Sequence, residues 1–460
     1  MSSPAEFLFR ETDIRPLAFF RIVFGFLGFA DVLGVWIYYH LHLGYFDPEA
    51  FHFKYTWFGW VHPLPEPFMS IVFLLTMAAA AAVMLGWRYR LSILLFALGF
   101  SYIFLMEKAL YLNHGYLFAW ISWIMIFLPA GRHFSLDAFR NPAMRLTAVP
   151  HWCLWILPFL MGVVYFYGGI AKMGTDWLAG YPMVLWLRNV HDMPLLGSLW
   201  ALPQTALFMS WLGMLIDLLA PFMLLFRKTR PWMLLVLLLF HLTNTLIFQI
   251  GIFPWLSITL SLLYFSPQWH QKAFTILRRK LKPLRQLDEL WLRKVSGTAP
   301  LSAYPGSLPR FATSWILALL ATFHLLMPLR HHLFEGPVAW TEEGHRFSWR
   351  MMLRTKSGGG YFQLLPPGEE KAQRISPHKY LNARQLEKLY THPDMIWQFA
   401  QHLAADHERQ HGHRPAVFAR IRCRLNGRPM QSFIDPETDL AALPWQPFKH
   451  DEWIVPLEGE

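Results

Sequence analysis

The sequence predicts an all-α polytopic membrane bundle followed by a small α+β, β-rich extracytoplasmic C-terminal domain. The 460 residues are 54% hydrophobic and only 15% charged, with a mean hydropathy of +0.27. That balance is typical of membrane proteins. Apolar runs long enough to cross a bilayer, which takes roughly 20 residues, recur before residue 330. Beyond that point shorter, mixed segments replace them, which favours a separate small domain.

The apolar runs predict about nine transmembrane helices. Arginine-rich loops follow the second, fourth and sixth runs, and residues 272–294 form a basic, partly amphipathic segment. Positive charge marks cytoplasmic loops, so we expect the N-terminus inside and the C-terminal domain outside. The runs are 17–39, 68–86, 91–106, 116–130, 152–171, 205–226, 231–249, 252–265 and 312–329.

The same patterns predict four parts in order along the chain. In the last part, alternating apolar residues and the Asn426-Gly427 pair predict strands and a hairpin, and "HPDMIWQFAQHLAADHERQ" has helical spacing. The parts are a transmembrane catalytic domain (1–265), a basic cytoplasmic amphipathic connection (266–311), a last transmembrane helix (312–329) and an extracytoplasmic α+β domain (330–460).

Lys172 stands out because it ends the apolar run "YFYGGIAK" on the outer side of the fifth predicted span. One interpretation is a lysine that reaches toward the headgroups and serves no chemistry. Asp176, four residues later, would pair with it on a continuing helix and keep it protonated. A functional interpretation requires the opposite, since burial that depresses the amine pKa would leave a neutral base. The local sequence leaves both open.

Other polar groups occur at the same membrane level or inside spans. Glu107, Lys108, Asn113 and His114 lie between the third and fourth spans. Polar groups well inside a span are costly, so each predicts either a site or an interhelical bond. Three groups of this kind are His241, Asn244 and Asp217.

Several common chemistries are excluded by the motifs. The sequence has no phosphate-binding glycine loop, no nucleophile elbow and no HExxH motif. Cys153 and Cys423 are far apart and form neither a disulfide framework nor a metal site. With no such motif, we expect no metal. The net charge of +11 is explained by the loops, so we expect no nucleic-acid partner.

Five segments, in order along the chain, resemble the vitamin K-dependent γ-glutamyl carboxylases. The chain is similar to a compact bacterial-type member whose membrane part is the horizontally transferred transmembrane domain. This resemblance implies a bacterial cytoplasmic membrane, with the C-terminal domain outside. The segments are "FHFKYTWFGWV" (51–61), "YFYGGIAKMGTDWLAGYPM" (165–183), "HLTNTLIFQIGIF" (241–253), "FSWRMM" (347–352) and "LNGRPMQSFIDPETDLAALPWQPF" (425–448).

The resemblance implies an enzyme that oxidises a reduced vitamin K (a phylloquinol- or menaquinol-type hydroquinone) with O₂ to the epoxide. The oxidation is coupled to γ-carboxylation of a glutamate-containing polypeptide with CO₂, and membrane lipid surrounds the site. Lys172 takes the place of the lysine that deprotonates the hydroquinone, and His114 that of the carboxylation-step histidine. The other implied residues are Asn113, Tyr165, Gly168, Gly169, His241 and Asn244 for the quinone, and Trp340, Phe347 and Trp349 for glutamate.

The glutamate region departs from the animal pattern. Glu342 and Glu343 would repel an acidic substrate unless Arg346 or Arg350 compensates. Two alternatives therefore stay open. One is a quinol epoxidase that carboxylates no glutamate, and the other is a non-catalytic membrane protein that binds a lipid or quinone or transports a solute.

Overall fold

The computed structural model describes residues 3–189, 192, 197–248, 250–301, 304 and 308–459, and it is mostly helical before residue 330. Gln249, the last residue of the seventh predicted span, lies outside the described residues. The helices of this part are α1 (Pro4–Phe9), α2 (Arg15–Val35), α3 (Phe68–Leu85), α4 (Tyr89–Met106), α5 (Asn113–Met125), α6 (Leu136–Arg140), α7 (Trp152–Ala171), α8 (Thr175–Leu178), α9 (Met183–Arg188), α10 (Gly197–Trp200), α11 (Pro203–Leu225), α12 (Arg230–Ile247), α13 (Phe253–Leu262), α14 (Pro267–Lys280), α15 (Lys282–Val295) and α16 (Arg310–Leu326).

Seven helices among the described residues are long and apolar enough to cross a membrane, and a bent pair raises the number to eight. The bend is 59° and separates Asn113–Met125 from Ala130–Arg140. The predicted class, a polytopic helical bundle, is confirmed, and the described residues hold seven or eight such helices where about nine were predicted. The seven are Arg15–His42, Phe68–Leu85, Tyr89–Met106, Trp152–Ala171, Pro203–Leu225, Arg230–Ile247 and Arg310–Leu333.

The eighth predicted span forms only the ten-residue helix α13. Its apolar residues are those of a helix surrounded by protein, because Leu256 and Leu260 are fully buried in the bundle core. Apolar composition alone does not distinguish such an interior helix from a full span. The loop before α13 lies beside His114, and the Tyr264 hydroxyl after it donates to the Pro158 carbonyl at 2.8 Å.

The basic loops gather on one side of the bundle. Strand β1 (Glu11–Asp13) pairs with β2 (Ala148–Pro150), which joins the N-terminus to the segment between α6 and α7. The backbone N–H of Arg88 donates to Asp137 at 2.7 Å, and Arg145 donates to the Thr298 carbonyl at 3.2 Å. This clustering is what the positive-inside rule expects of a cytoplasmic face.

A cysteine placed at Lys282 should be protected from an impermeant thiol reagent in intact cells, whereas one at Lys371 should be labelled. Both natural cysteines are buried, so they give little background. Labelling at position 282 with protection at 371 would contradict the assigned sides. Permeabilised cells, in which both positions should react, serve as the control.

The C-terminal domain is a four-stranded antiparallel sheet with helices packed on it. The strand order is β4-β3-β5-β6, and β3 pairs with β5 over ten residues, from Lys356 opposite Leu425 to Leu365 opposite Ala416. Asn426 and Gly427 lie between β5 and β6 with φ of 49° and 81°, as a hairpin turn requires. The elements are α17 (Val338–Thr341), β3 (Lys356–Leu365), β4 (Gln373–Ile375), α18 (Ala383–Leu389), α19 (Pro393–His411), β5 (Ala416–Leu425) and β6 (Gln431–Ser432).

The C-terminal domain packs directly on two outer loops of the bundle. Phe53 from the first loop is fully buried in the core of this domain. Glu107 accepts a hydrogen bond from Gln385 at 2.9 Å, and Lys108 donates to Asp394 at 2.5 Å. Burial alone would raise the pKa of the Asp394 carboxyl, but Arg346 and Lys108 hold it well below its usual range. The contact is therefore between ionised groups.

Candidate active site

Lys172 caps the C-terminal end of α7 and is only 6% exposed. Its Nζ donates to Asp217 Oδ2 on α11 at 2.6 Å and lies 3.3 Å from the Gly168 carbonyl oxygen. The interpretation of Lys172 as a solvated headgroup lysine therefore does not fit. Asp176 is not its partner, because the Asp176 carboxylate accepts from Arg428 at 2.7 Å and from Asn426 at 2.6 Å.

Two glycines allow α7 and α11 to approach closely at this point. A Cβ on Gly169 would lie 2.7 Å from the backbone nitrogen of Leu218, so a side chain there would push α11 away. A Cβ on Gly168 would lie 3.3 Å from Asp217 Oδ2. Gly169 thus supports helix packing and Gly168 leaves room beside the ion pair. No other residue type fits at Gly169 without moving the helices.

A cavity of about 630 Å³ opens beside the ion pair. Its wall is largely apolar, with aromatic and methionine side chains from α9, α11 and α12 and from the segment before α13. The structure brings six predicted residues to this wall, although the sequence spreads them over 132 positions (113 to 244). They are Asn113, His114, Tyr165, Lys172, His241 and Asn244.

Tyr165 and His241 form a buried polar pair in this wall. The Tyr165 hydroxyl lies 2.9 Å from His241 Nε2, and both side chains are at most 3% exposed. His241 Nδ1 is buried and has no hydrogen-bond partner in the described ranges. Since a buried polar atom without a partner is costly, this nitrogen is a candidate for contact with a bound molecule or water.

Asn113 and His114 begin α5, where its first turn faces the cavity. Asn113 Oδ1 accepts from the Tyr111 hydroxyl at 2.9 Å, and that hydroxyl accepts from the Phe347 backbone N–H at 2.8 Å. The His114 imidazole makes no hydrogen bond with the described part of the chain. It lies 6.1 Å, centroid to centroid, from the ring of Phe253. His114 is therefore free to meet a ligand.

Residues 342–352 form an irregular segment between α17 and β3 that reaches the cavity. Phe347, Trp349 and Met352 have φ of 64°, 55° and 50°, a left-handed conformation that disfavours side chains by about 1–2 kcal/mol each. Strain of this kind is concentrated at functional segments, where surrounding contacts maintain it. The backbone is held here by the Tyr111 hydroxyl and by Asn113, whose Nδ2 lies 3.5 Å from the Arg350 carbonyl oxygen.

Arg350 in this segment lines the cavity together with Met351 and Met352. Its guanidinium makes no hydrogen bond or ion pair with any described residue. Burial and the nearby Arg354 lower its pKa to about 10, so it stays charged at neutral pH. A charged, unpaired guanidinium in the cavity wall is suited to an anionic ligand.

The three residues predicted to bind the glutamate substrate lie in different places. Trp340 is fully buried in the C-terminal core, where its Nε1 donates to the Val455 carbonyl at 2.7 Å. Trp349 is 1% exposed and packs 5.3 Å from the Tyr116 ring. Phe347 lines a second cavity, on the other side of the Asn113–Tyr111–Phe347 chain. Trp340 precedes the segment 342–352 and Trp349 lies within it, and neither lines the two large cavities.

The acidic residues that appeared to oppose an acidic substrate are already paired. Both carboxylate oxygens of Glu342 accept from Arg354, and Lys356 Nζ lies 3.7 Å away. Glu343 accepts from His450 at 2.6 Å and from the Asp451 N–H at 3.1 Å. Arg346 does not supply this compensation, because it pairs with Asp394 at 2.6 Å.

Glu342 also lies near two buried histidines, His345 and His392. Ligand-type atoms of the three residues all lie within 4.8 Å of one another. Arg354 and Lys356 nevertheless surround the carboxylate with positive charge, which opposes a metal ion. We interpret this group as an ion-pair network and assign no metal to it.

The sequence interpretation left open the roles of two residues. From the sequence, Asp217 is either part of a site or an interhelical partner, and the structure makes it the partner of Lys172 itself. The sequence feature that marks Asp217 is a carboxylate inside a predicted span, which is rare. From the sequence, Arg350 is expected only to offset the negative charge of Glu342 and Glu343. No sequence feature distinguishes its role from that of Arg346.

Fold and site together define an integral membrane protein with a polar site in an apolar intramembrane cavity, covered by a small β-rich domain. Comparison with protein families extends this description. The HTTM domain family matches residues 9–269, and the family described as "Vitamin K-dependent gamma-carboxylase, lumenal domain" matches residues 310–460. The chain belongs to the vitamin K-dependent γ-glutamyl carboxylase family. No solved structure matches it.

The second match also bears on orientation. A lumenal domain faces away from the cytoplasm, and the basic loops of this chain gather on the side opposite its C-terminal domain. Both observations place residues 310–460, apart from their membrane helix, on the non-cytoplasmic side.

Proposed function

We propose that this protein, in a bacterial cytoplasmic membrane, oxidises a reduced naphthoquinone of the vitamin K type with O₂ to its epoxide. We further propose that this reaction drives carboxylation of a peptide glutamate with CO₂. The observation that carries the proposal is the Lys172–Asp217 pair in the wall of an apolar cavity that Arg350 also lines. The pair suits proton transfer from a phenol-like hydroxyl, and the guanidinium suits a carboxylate.

The cavity fits the ring system of a quinol. Ligand cavities for apolar molecules measure roughly 300–1,000 Å³, with few polar groups at fixed positions. This cavity has about 630 Å³, a mostly apolar wall that includes Trp177, Trp186 and Phe240, and the polar atoms described above. His241, Asn244 and Tyr165 would hold the ring oxygens. When bound, the reduced quinone together with O₂ supplies the strong base that removal of a carbon-bound proton requires.

Lys172 is proposed as the group that accepts the hydroxyl proton, with Asp217 as the final acceptor. An ammonium already paired with a carboxylate cannot accept a proton without losing its own. The 2.6 Å contact between Nζ and Oδ2 lets Lys172 pass its proton to Asp217 as it takes the new one. Asp217 becomes neutral, and the ammonium charge is left to offset negative charge where the proton departed.

Arg350 is proposed to bind a carboxylate of the glutamate substrate. Its guanidinium lines the same cavity as Lys172 and His114. The acidic neighbours Glu342 and Glu343 are paired with other groups and add little repulsion. This supports coupled carboxylation over epoxidation alone, because the Lys172 ammonium already offsets the charge left on the quinol and Arg350 adds a second cation to the same cavity. Phe347, which the resemblance implies for glutamate, faces the second cavity and has no part in this proposed carboxylate site.

The overall proposal is tested with purified protein in detergent. A naphthoquinone is reduced anaerobically, O₂ is admitted, and the epoxide is measured by chromatography. Radiolabelled bicarbonate and a panel of glutamyl peptides, some with basic flanking residues, are added in parallel. Epoxide with labelled peptide is the expected result. Epoxide without label from any peptide would favour the epoxidase alternative, and absence of epoxide would favour a binding or transport protein.

Arg350→Gln should raise KM for the glutamyl peptide about tenfold or more, the loss expected for one charge-assisted hydrogen bond. Epoxide formation without peptide should fall much less. Arg374→Gln is the matched control, because Arg374 is exposed on β4 of the same domain. Equal loss of both reactions in Arg350→Gln would mean that Arg350 serves the fold or the quinol instead.

A further inference from the structure

We propose that the second large cavity is a binding site for an anionic membrane lipid, with the acyl chain between helices and the phosphate at Arg330. We name it the lateral cavity. It has a volume of about 640 Å³ and is lined by α4, α5 and α16 and by loops of both domains. It is separated from the site of Lys172 by the Asn113–Tyr111–Phe347 chain. The inference does not depend on the proposed quinol chemistry.

The inner part of the lateral cavity is apolar and opens toward the membrane. Phe104, Trp120 and Met327 line it, as do Trp123 and Phe323. Trp123 and Phe323 lie on membrane helices and are 37% and 40% exposed, so their exposed surfaces face lipid. An opening at this level faces lipid tails, so an acyl chain can enter without crossing water.

The outer end of the lateral cavity carries excess positive charge. Lys108 and Arg346 share one carboxylate, that of Asp394. Arg330, the third cation in the lining, forms no ion pair with a carboxylate in the described residues. Its contact is from Nη2 to the Arg346 carbonyl oxygen at 3.3 Å, and its Nε is buried without a partner. Glu342 and Glu343 are paired elsewhere, as described above.

An unpartnered hydroxyl provides a second polar contact for a headgroup. Tyr55 is 5% exposed and lines the lateral cavity, and its buried Oη has no hydrogen-bond partner among the described residues. Burial raises the pKa of this hydroxyl well above its usual range, so the group remains a neutral donor. An anionic phosphate offers strong acceptors to the Arg330 guanidinium and to a donor such as the Tyr55 hydroxyl, whereas an uncharged lipid offers only weaker ones.

The test uses phosphatidylglycerol with a photoreactive diazirine in the acyl chain, reconstituted with the full chain in vesicles. Diacylglycerol with the same tail, which has no phosphate, is the uncharged comparison. Crosslinked peptides are identified by mass spectrometry. We expect labelling on α5 and α16, near Trp120 and Met327, about tenfold stronger with phosphatidylglycerol, as one charge-assisted hydrogen bond predicts.

Arg330→Gln should remove this preference, while Arg310→Gln, at the other end of α16, should keep it. Tyr55→Phe, which deletes one oxygen and little packing, should weaken the labelling and provides a second variant if Arg330→Gln does not fold. Equal labelling by the two lipids, or unchanged labelling in both cavity variants, would overturn the proposal. Displacement of the lipid by a glutamyl peptide would overturn it as well, and would assign the lateral cavity to the peptide.

Discussion

Replacement of Lys172 by alanine is expected to abolish epoxide formation, with a loss of roughly 10²- to 10⁴-fold, the range of general acid–base catalysis. The substitution removes the amine that is proposed to accept the quinol proton and leaves the apolar cavity wall in place. Small exogenous amines should restore part of the activity, because they can enter the vacated space. Lys371→Ala, which removes an exposed lysine of the C-terminal domain, is the control.

The ion pair complicates the interpretation of Lys172→Ala, because the substitution removes only one of its two charges. Alanine at position 172 leaves Asp217 buried without its cation, and breaking one partner of a buried pair costs about 3–5 kcal/mol of stability. The double variant Lys172→Met with Asp217→Leu removes both charges and should recover folding. If Lys172→Ala retains near-normal epoxidation, or if the refolded double variant is active, the assignment of the base is wrong.

Replacement of His114 by alanine is expected to uncouple the two reactions. The imidazole makes no hydrogen bond with the described residues, so its loss should disturb the fold little. In the proposed reaction it orients the glutamate carboxylate or the oxidised quinone while CO₂ adds. A misplacement of about 1 Å can cost roughly a hundredfold in rate, so carboxylation should fall by about that factor while epoxidation persists.

His324→Ala is the matched control for this variant. His324 is also buried in a membrane helix, packs 4.8 Å from the Trp120 ring, and is not among the residues that line the Lys172 cavity. Labelled bicarbonate and epoxide should be measured in the same sample. A parallel loss of both activities in His114→Ala would assign His114 to quinol binding or to the fold.

Much of the fold was predictable, because the hydrophobic effect acts on runs of residues that composition reveals. The hairpin at Asn426-Gly427 was predictable from local turn chemistry. The number of full spans was not, since α13 is apolar through burial in protein and not through contact with lipid. Sequence hydrophobicity does not separate these two environments.

Some features of the site were also predictable from the sequence, and others were not. The resemblance identified Lys172 and His114, and the structure places them around one cavity. The resemblance could not identify the partner of Lys172, because pairing depends on how helices rotate against each other over long sequence separations. Asp217 is 45 residues from Lys172, and Asp176, the local candidate, pairs instead with Arg428, 252 residues away. Local spacing favoured the wrong carboxylate.

The packing of the C-terminal domain on the outer loops has a consequence for how such genes can evolve. Two family regions match this chain separately, as if each were a module that recombination could move alone. In the folded chain, however, Glu107 and Lys108 are buried in the first region and find their partners, Gln385 and Asp394, in the second. An exchange that replaced one region alone would leave these buried groups without hydrogen-bond partners, at a cost of about 1–3 kcal/mol of folding stability each. The two regions should therefore be inherited together.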